Sequence, residues 1–223
     1  MQIEGRLLAG IALLKGLSSD VLQRVTDSWS IHSLSLGQAI RPGARIHFVC
    51  DGSARSVYRS EADSELIIRD LSQGDMFGLE GAGSTRSGHL EIIALEPTVL
   101  ASISRRDFDR ILRAFPPASL RLNQYLEDLL CGVTSRFIET STLTVPGRIH
   151  AELLRRADRA GPGTDLPVIT LPTHAELANR IGTHREAITR ELRKLEREKV
   201  ISRSGRQVVI RDLPALQVAR NRT

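Results

Sequence analysis

Residues 173–210 constrain the fold more than any other stretch, because two helix-start signals lie there only ten residues apart. Each is a capping box, Ser/Thr-x-x-Glu/Gln, in which a hydroxyl and a carboxylate satisfy backbone N–H groups of the first helical turn. The two pairs are Thr173 with Glu176 and Thr183 with Glu186. Gly182 lies between them and is the residue type that best adopts the positive φ after a helix end. The sequence predicts a first helix over about 174–181, a short turn and a second helix.

The second predicted helix has an apolar and a polar face. Ile188, Leu192 and Leu195 form the apolar stripe, at spacings of four and three residues. The other face is polar and largely basic, and consists of Arg185, Glu186, Thr189, Arg190 and Arg193. A tight turn followed by a basic second helix is typical of a helix-turn-helix, whose second helix lies in the major groove of DNA. The alternative is a solvated charged helix packed on a hairpin.

A hairpin is predicted directly after this helix. Val200-Ile201 and Gln207–Ile210 are apolar runs that flank Ser204-Gly205, a two-residue turn signal. The hairpin would add a wing and make the unit a winged helix-turn-helix.

The charge of the chain is concentrated at its C-terminal end. Residues 147–223 contain 16 Lys and Arg against 9 Asp and Glu, a balance of +7, whereas residues 1–146 carry −2. A basic module attached to a nearly neutral body indicates nucleic-acid binding by one part of the chain. No apolar run approaches the roughly 18 residues of a membrane span, and the N-terminus does not resemble a secretory signal, so we expect a cytoplasmic protein.

The region 31–104 alternates short apolar runs with turn residues, which predicts a β-roll or barrel. The predicted strands are Ile31–Leu36, Arg45–Cys50, Ala54–Tyr58, Glu65–Leu71, Leu90–Leu95 and Val99–Ser104. A short helix is expected within 12–27, with its cap at Ser18 or Ser19.

Helices are predicted on the C-terminal side of the roll. One covers Arg105–Phe115 and is broken by Pro116-Pro117; a longer one runs from Ala118 to about Leu143. The longer helix carries a heptad-like seam, composed of Leu122, Leu126, Leu129, Val133 and Phe137. Such a seam is typical of a two-stranded interface, although packing on the roll would also explain it. Val145–Ile149 is predicted as a hinge before a helix that ends near Arg159, with a loop over 160–165.

The segment Gly182–Glu196 resembles the recognition helix of the CRP/FNR superfamily of bacterial transcription regulators, whose pattern is Gly-x-Ser-Arg-Glu-Thr-Val-x-Arg-x-Leu-x-x-Leu. The resemblance extends over nearly the whole chain and implies an α+β fold. A jelly-roll sensor resembling a cyclic-nucleotide-binding domain would cover 1–117, a dimerisation helix 118–144, and a winged helix-turn-helix domain 145–223. It also implies a homodimer and contact with RNA polymerase through the 161–165 loop.

The resemblance assigns roles to the polar face of the second helix. Arg185 and Arg190 would read guanine and Glu186 cytosine in a TGTGA-type palindromic half-site, although Glu186 also fits a capping role. Thr189 belongs to the same DNA-facing set. Phosphate contacts would come from Thr173, Thr183, His184 and the wing residues Arg203 or Arg206.

Residues 74–88 resemble the phosphate-binding cassette of cyclic-nucleotide-binding domains. Gly78 matches the cassette glycine, while Arg86 and Ser87 match the pair that holds the cyclic phosphate; the residue types suit an anion. Leu79 stands where the family has a ribose-binding carboxylate, and the acid follows at Glu80. On the long helix only Thr134 retains an adenine-contacting hydroxyl. The resemblance therefore implies cAMP as an effector and no required cofactor, whereas a degenerate cassette would leave Arg86 a surface residue.

Other functions find less support in the sequence. An iron–sulfur sensor needs four cysteines, and the chain has only Cys50 and Cys131. A haem group would need an axial ligand such as His89. No HExxH, GxSxG or GxxxxGK[ST] motif occurs, so no enzyme is expected. The alternatives that stay open are a regulator without a nucleotide effector, and a ligand-binding module that acts through a partner protein.

Overall fold

The computed structural model describes residues 11–17, 29–61, 65–79, 88–159 and 166–220. The contacts divide the chain into two compact units, Met1–Leu129 and Leu130–Thr223. The strands are β1 Ser30–Leu34, β2 Ala39–Ile40, β3 Arg45–Asp51, β4 Ser53–Ser60, β5 Glu65–Ser72, β6 Met76–Phe77, β7 Gly88–Ala94, β8 Thr98–Ser104, β9 Val168–Thr170, β10 Ile201–Ser204 and β11 Gln207–Ile210. The helices are α1 Arg105–Ala114, α2 Pro116–Thr142, α3 Val145–Arg159, α4 His174–Ile181, α5 Arg185–Arg197 and α6 Leu213–Arg220.

The first unit contains two four-stranded antiparallel sheets, with strand orders β1-β8-β3-β6 and β2-β7-β4-β5. Strand β3 is buried along most of its length. Val49 belongs to the cluster shared by the two sheets, whereas Ile46 and Phe48 belong to a second cluster with Phe108 and Ile111 of α1. Because successive side chains of a strand point to opposite faces, this one strand supplies both cores. The predicted β-roll is confirmed.

Of the helix predicted within 12–27, the structure describes only residues 12–17. Ala12–Leu14 form a single 3₁₀ turn, and the predicted caps Ser18 and Ser19 lie outside the described residues. Leu13 and Leu14 are buried in the core beside α1, which accounts for the apolar residues at this turn.

The break at Pro116-Pro117 also differs in detail from the prediction. Helix α1 ends at Ala114 and α2 begins at Pro116, with only Phe115 between them. Proline is accepted in the first turn because its missing N–H would have no helical partner there. The two prolines therefore start the long helix instead of separating it from α1.

The second unit consists of α3–α6 around a three-stranded sheet of order β10-β11-β9. The predicted hinge over Val145–Ile149 is wrong, because these residues form the first turns of α3 and only Leu143 and Thr144 connect it to α2. A Cβ at Gly147 would lie 2.7 Å from the carbonyl oxygen of Arg220. This glycine permits the close approach of α6. Residues 160–165, predicted as a loop, lie outside the described residues.

The wing is present, with its turn shifted by one residue from the prediction. Ser204 pairs with Gln207, so the two turn residues are Gly205 and Arg206 rather than Ser204 and Gly205. Strand β11 also pairs with β9, a strand that the sequence pattern did not reveal.

Candidate nucleic-acid interface and sensor site

Helix α4 and the turn after it follow the local signals closely. The Thr173 hydroxyl accepts a hydrogen bond from the backbone N–H of Glu176 at 3.2 Å, which is the expected N-cap contact. Gly182 ends the helix in the left-handed region, with φ +66°. The predicted first helix and its stop are confirmed.

The second capping box does not form. Helix α5 begins at Arg185, and its N-cap is His184, whose side chain makes no capping hydrogen bond. The backbone N–H of Thr183 donates instead to the carbonyl oxygen of Ala178 and so helps to close α4. This use of Thr183 moves the start of α5 on by one residue and leaves the Glu186 side chain exposed. Thr183 lies at the turn but not in its predicted capping role, and His184 takes the N-cap position beside it.

The inner face of α5 packs into the second core. Ile188, Leu192 and Leu195 are each at most 1% exposed, which confirms the apolar stripe. Glu191 is also buried, and its carboxylate lies 2.8 Å from Nε2 of His150 on α3. This pair fixes α5 against α3. No pattern in the sequence indicated it, because the two residues are 41 positions apart.

The outer face of α5 forms an open concavity of about 710 Å³. Its lining is formed by Arg185, Glu186, Thr189, Arg190, Arg193, Glu196 and Arg197. All five polar residues that the sequence placed on this face are present. Four arginines and two glutamates on one exposed helix face make a surface that can donate to phosphates and base edges and accept from amino groups.

The wing extends this surface from the other side. Arg203 of β10 donates to the Glu196 carboxylate at 2.6 Å, and this hydrogen bond holds the pKa of Glu196 below its usual value. The wing is thereby tied to α5 by an ion pair. Arg206, at the turn, is exposed.

His174 is a further residue of this surface, outside the set predicted to bind DNA. Its Nδ1 lies 2.8 Å from Oγ1 of Thr189, and Thr189 lines the concavity. The sequence shows His174 only as the first residue after a cap, which is why its link to α5 could not be read from spacing.

The predicted sensor site is described in part. Gly78 follows β6 with φ +92°, and a Cβ there would lie 2.2 Å from the carbonyl oxygen of Arg45, so only glycine fits. Leu79 packs against the core beside α1. Glu80, Arg86 and Ser87 lie outside the described residues. Thr134 is exposed on α2.

His89, the alternative haem ligand, lies at the far end of the cassette. Its Nε2 is 2.9 Å from Glu91 and 3.2 Å from Arg41, and its hydrogen bond lowers the pKa of Glu91. The imidazole therefore belongs to a surface ion-pair cluster. Over the described ranges, no group of three or more His, Cys, Asp or Glu side chains could hold a metal ion.

The seam of α2 is only partly covered. Leu122 packs against the core of the first unit beside α1, whereas Leu126, Val133 and Phe137 are 39%, 54% and 70% exposed. Leu129 is half-buried. The beginning of the helix thus packs on the roll, and its later residues offer an apolar surface. Within the described part of the chain, no helix is long and apolar enough to cross a membrane.

Two protein-family models match the chain. Residues 38–115 match the cyclic nucleotide-binding domain, and residues 147–219 match the Crp-like helix-turn-helix domain. The cAMP-activated global transcriptional regulator CRP of Pasteurella multocida is 28% identical over 169 residues, 74% of this chain and 80% of that protein. The probable transcriptional regulator flp of Lacticaseibacillus casei is 26% identical over 174 residues, 77% of this chain and 78% of that protein.

Solved structures show the same fold at lower identity. A mutant of CooA from Carboxydothermus hydrogenoformans has a TM-score of 0.79 and 21% identity, over 96% of this chain and 95% of that one. The c-di-GMP-responsive global regulator CLP of Xanthomonas campestris has a TM-score of 0.68 and 19% identity, over 86% and 99%.

The two domain models occur in the order of the sensor roll and the winged helix-turn-helix, and together match more than half of the chain. With the matching fold and the curated relatives, they identify the chain as a member of the CRP/FNR superfamily of DNA-binding transcription regulators.

Proposed function

We propose that the chain is a homodimeric, sequence-specific transcription regulator whose DNA affinity is controlled by a small effector in the β-roll. The observation that carries this function is the outer face of α5, where Arg185, Arg190, Arg193 and Arg197 line one open concavity. Helix α5 is fixed from behind by its buried stripe and the His150–Glu191 pair. A basic helix held by a rigid scaffold is suited to the major groove.

Three side chains of α5 would read bases. Arg185 and Arg190 can each donate two hydrogen bonds to O6 and N7 of guanine, and Glu186 can accept from N4 of cytosine. Glu186 is free for this role because α5 starts at Arg185 and no capping box engages its carboxylate. These residues favour a TGTGA-like palindromic half-site.

The residues around α5 would fix its register on the phosphate backbone. Thr173, Thr183, His184 and Arg206 lie at the helix starts and the wing turn, while Arg203 is oriented by Glu196. Such contacts position a protein without reading sequence. In two copies paired through the exposed α2 seam, the recognition helices would have to lie about 34–36 Å apart to enter successive major grooves.

A cyclic nucleotide is the leading effector class, with cAMP the first candidate. The match to a cyclic nucleotide-binding domain and the cAMP-activated relatives support it. Gly78, Glu80, Arg86, Ser87 and Thr134 would form the site. Isothermal titration calorimetry of the wild type and Arg86→Ala with cAMP and cGMP tests this. A heat of binding in the wild type that is lost in Arg86→Ala supports a cyclic-nucleotide site at these residues. If neither protein gives a heat of binding, the effector is a different molecule or the chain has none.

DNA binding is tested by fluorescence anisotropy with a TGTGA palindrome and a scrambled duplex of the same length, each with and without cAMP. We expect a preference for the palindrome that persists as salt rises, since base contacts are less salt-dependent than phosphate contacts. Equal affinity for both duplexes would contradict the half-site. Absence of binding even at low salt would favour the alternative, a cytoplasmic module that acts through a protein partner. Contact with RNA polymerase would be a further partnership of the DNA-bound dimer.

A further inference from the structure

His174, the first residue of α4, lies where basic side chains of two other elements converge. Its Nδ1 contacts the Thr189 hydroxyl of α5. The charges of Arg185 and Arg193 on α5, and of Arg203 on β10, act on its ring. The side chain is partly exposed, and through Thr189 it adjoins the concavity of the recognition helix.

The Thr189 hydroxyl determines which ring nitrogen of His174 carries hydrogen. A hydroxyl has a single hydrogen, and Oγ1 of Thr189 lies 3.1 Å from the carbonyl oxygen of Arg185, which can only accept. Both contacts of this hydroxyl are hydrogen bonds only when Nδ1 of His174 donates. In the neutral ring, Nε2 is then left with a lone pair. Among the described residues, Nε2 has no hydrogen-bond partner.

The surroundings of the ring favour this neutral form. Burial, followed by the positive charges of Arg203, Arg185 and Arg193, lowers the pKa of His174 below its usual 6.5. The nearby carboxylate of Glu196 accepts from Arg203 at 2.6 Å and is thereby engaged with the arginine instead of the imidazole. At neutral pH the free protein therefore presents an uncharged imidazole between three guanidinium groups.

A phosphate group placed against these arginines would shift the preference of His174 from the neutral to the charged imidazole. Its negative charge offsets the guanidinium charges and favours a charged imidazole, which raises the pKa of His174. The protonated Nε2 becomes a donor and can make a charge-assisted hydrogen bond to a phosphate oxygen. Nδ1 keeps its bond to Thr189 in both states, so the ring need not turn.

We propose that the chain takes up a proton at His174 when it binds the DNA backbone, so that acidification strengthens binding. This uptake rests on the DNA-binding function proposed above, and it adds His174 to the phosphate-binding residues. Between the pKa of the free and of the bound protein, uptake of one proton raises affinity by up to about tenfold per pH unit.

The test is fluorescence anisotropy of the full chain with an unrelated duplex at constant low salt, over about pH 6 to 8, repeated with and without cAMP. Because backbone contacts do not depend on sequence, the true operator is not required. We expect the DNA affinity of the wild type to rise as pH falls. In His174→Gln this contribution to the pH dependence should be lost. His174→Lys, which stays charged over this range, should bind DNA without that contribution to the pH dependence. His89→Gln is the matched histidine variant, because His89 is paired with Glu91 on the first unit and belongs to no DNA-facing set; it should keep the wild-type slope.

NMR of the His174 ring gives a second readout. Its pKa should lie below 6.5 in the free protein and rise when the duplex is added. The same pH slope in wild type and His174→Gln, or a His174 pKa that does not move on binding, would overturn the proton uptake while DNA binding stands. No binding to any duplex at low salt would overturn both proposals together.

Discussion

Nη2 of Arg155 lies 2.6 Å from both carboxylate oxygens of Glu139, and this contact joins the end of α2 to α3. Arg155 also donates through Nη1 to Glu152, whose carboxylate accepts from Arg156 at 2.9 Å. Burial alone would lower the pKa of Arg155, but the hydrogen bonds and charges of Glu139 and Glu152 raise it above its usual value. A permanently charged side chain thus braces the two-residue connection between the helices.

Arg155→Gln should lower the unfolding free energy of the C-terminal unit by about 1–3 kcal/mol, because it leaves the largely buried Glu152 with one partner fewer. Urea unfolding measures this. Arg110→Gln is the control, since Arg110 pairs with Asp107 across an exposed helix surface and its loss should cost under about 1 kcal/mol. Equal effects of the two variants would contradict a bracing role for Arg155.

Gly78→Ala should destabilise the first unit strongly. Its positive φ costs a Cβ-bearing residue roughly 1–3 kcal/mol, and the overlap with the Arg45 carbonyl oxygen at 2.2 Å adds to that. Gly37→Ala separates the two contributions, because Gly37 has φ +78° with no atom within 4 Å of its added Cβ. Thermal unfolding should show a clearly larger decrease in Tm for Gly78→Ala, and equal decreases would refute the steric part.

Arg185→Ala should remove the preference for the G-containing half-site, a loss of roughly 1–3 kcal/mol in discrimination, while weak binding to scrambled DNA persists. Arg206→Ala, at the wing turn, should instead weaken binding to both duplexes alike and reduce the salt dependence by about one phosphate contact. Competition anisotropy with the two duplexes measures both effects. Undiminished discrimination in Arg185→Ala would exclude base reading by this residue.

Glu186→Ala distinguishes a base contact from a helix cap. Because His184 is the N-cap and Glu186 is exposed, we expect the unfolding free energy to change by less than about 0.5 kcal/mol. Discrimination at the cytosine position should fall, since a carboxylate acceptor is lost. A marked loss of stability with unchanged discrimination would restore the capping role.

His47 makes the stability of the first unit sensitive to acid. It is 5% exposed, and its ring stacks on Phe77 with centroids 4.7 Å apart. Burial lowers the pKa of His47 from 6.5, against a hydrogen bond to the Pro42 carbonyl that raises it. The unfolded chain therefore binds the proton more readily, and stability falls as pH drops through about 6.5 toward the lower pKa of the folded state.

In His47→Gln this part of the pH dependence should disappear. Urea unfolding of wild type and variant over about pH 5 to 8 measures it. The free-energy difference between the two proteins should shrink as pH falls, whereas a constant difference would show that His47 does not titrate on unfolding.

Features set by neighbouring residues were predictable from the sequence. The cap at Thr173, the stop at Gly182 and the stripe from Ile188 to Leu195 all depend on contacts within a few positions. The second cap failed because the N–H of Thr183 closes the preceding helix, which shifts the next start by one residue. The predicted hinge around Pro146-Gly147 is wrong because proline is accepted in the first turn of a helix, and these residues begin α3.

Features that depend on distant partners were beyond sequence patterns. Strand β9 is recognisable only through its pairing with β11, and the His150–Glu191 and His174–Thr189 contacts join residues of different helices. The sensor residues Gly78 and Leu79 could be placed by resemblance, but the close approach of the Arg45 carbonyl to Gly78 required the sheet to be assembled.

The connection between α1 and α2 is the single residue Phe115, and its length limits the insertions that the first unit can accept during evolution. Its backbone N–H bonds to Ile111 and its carbonyl to Ala118, so the connection has no slack. A substitution along α2 alters one position, but an inserted residue after Phe115 would rotate every later side chain by about 100°. Leu122 would leave the core and the seam would turn away from its present direction. Homologous chains should therefore vary more at the exposed polar positions of α2 than in the length of this junction.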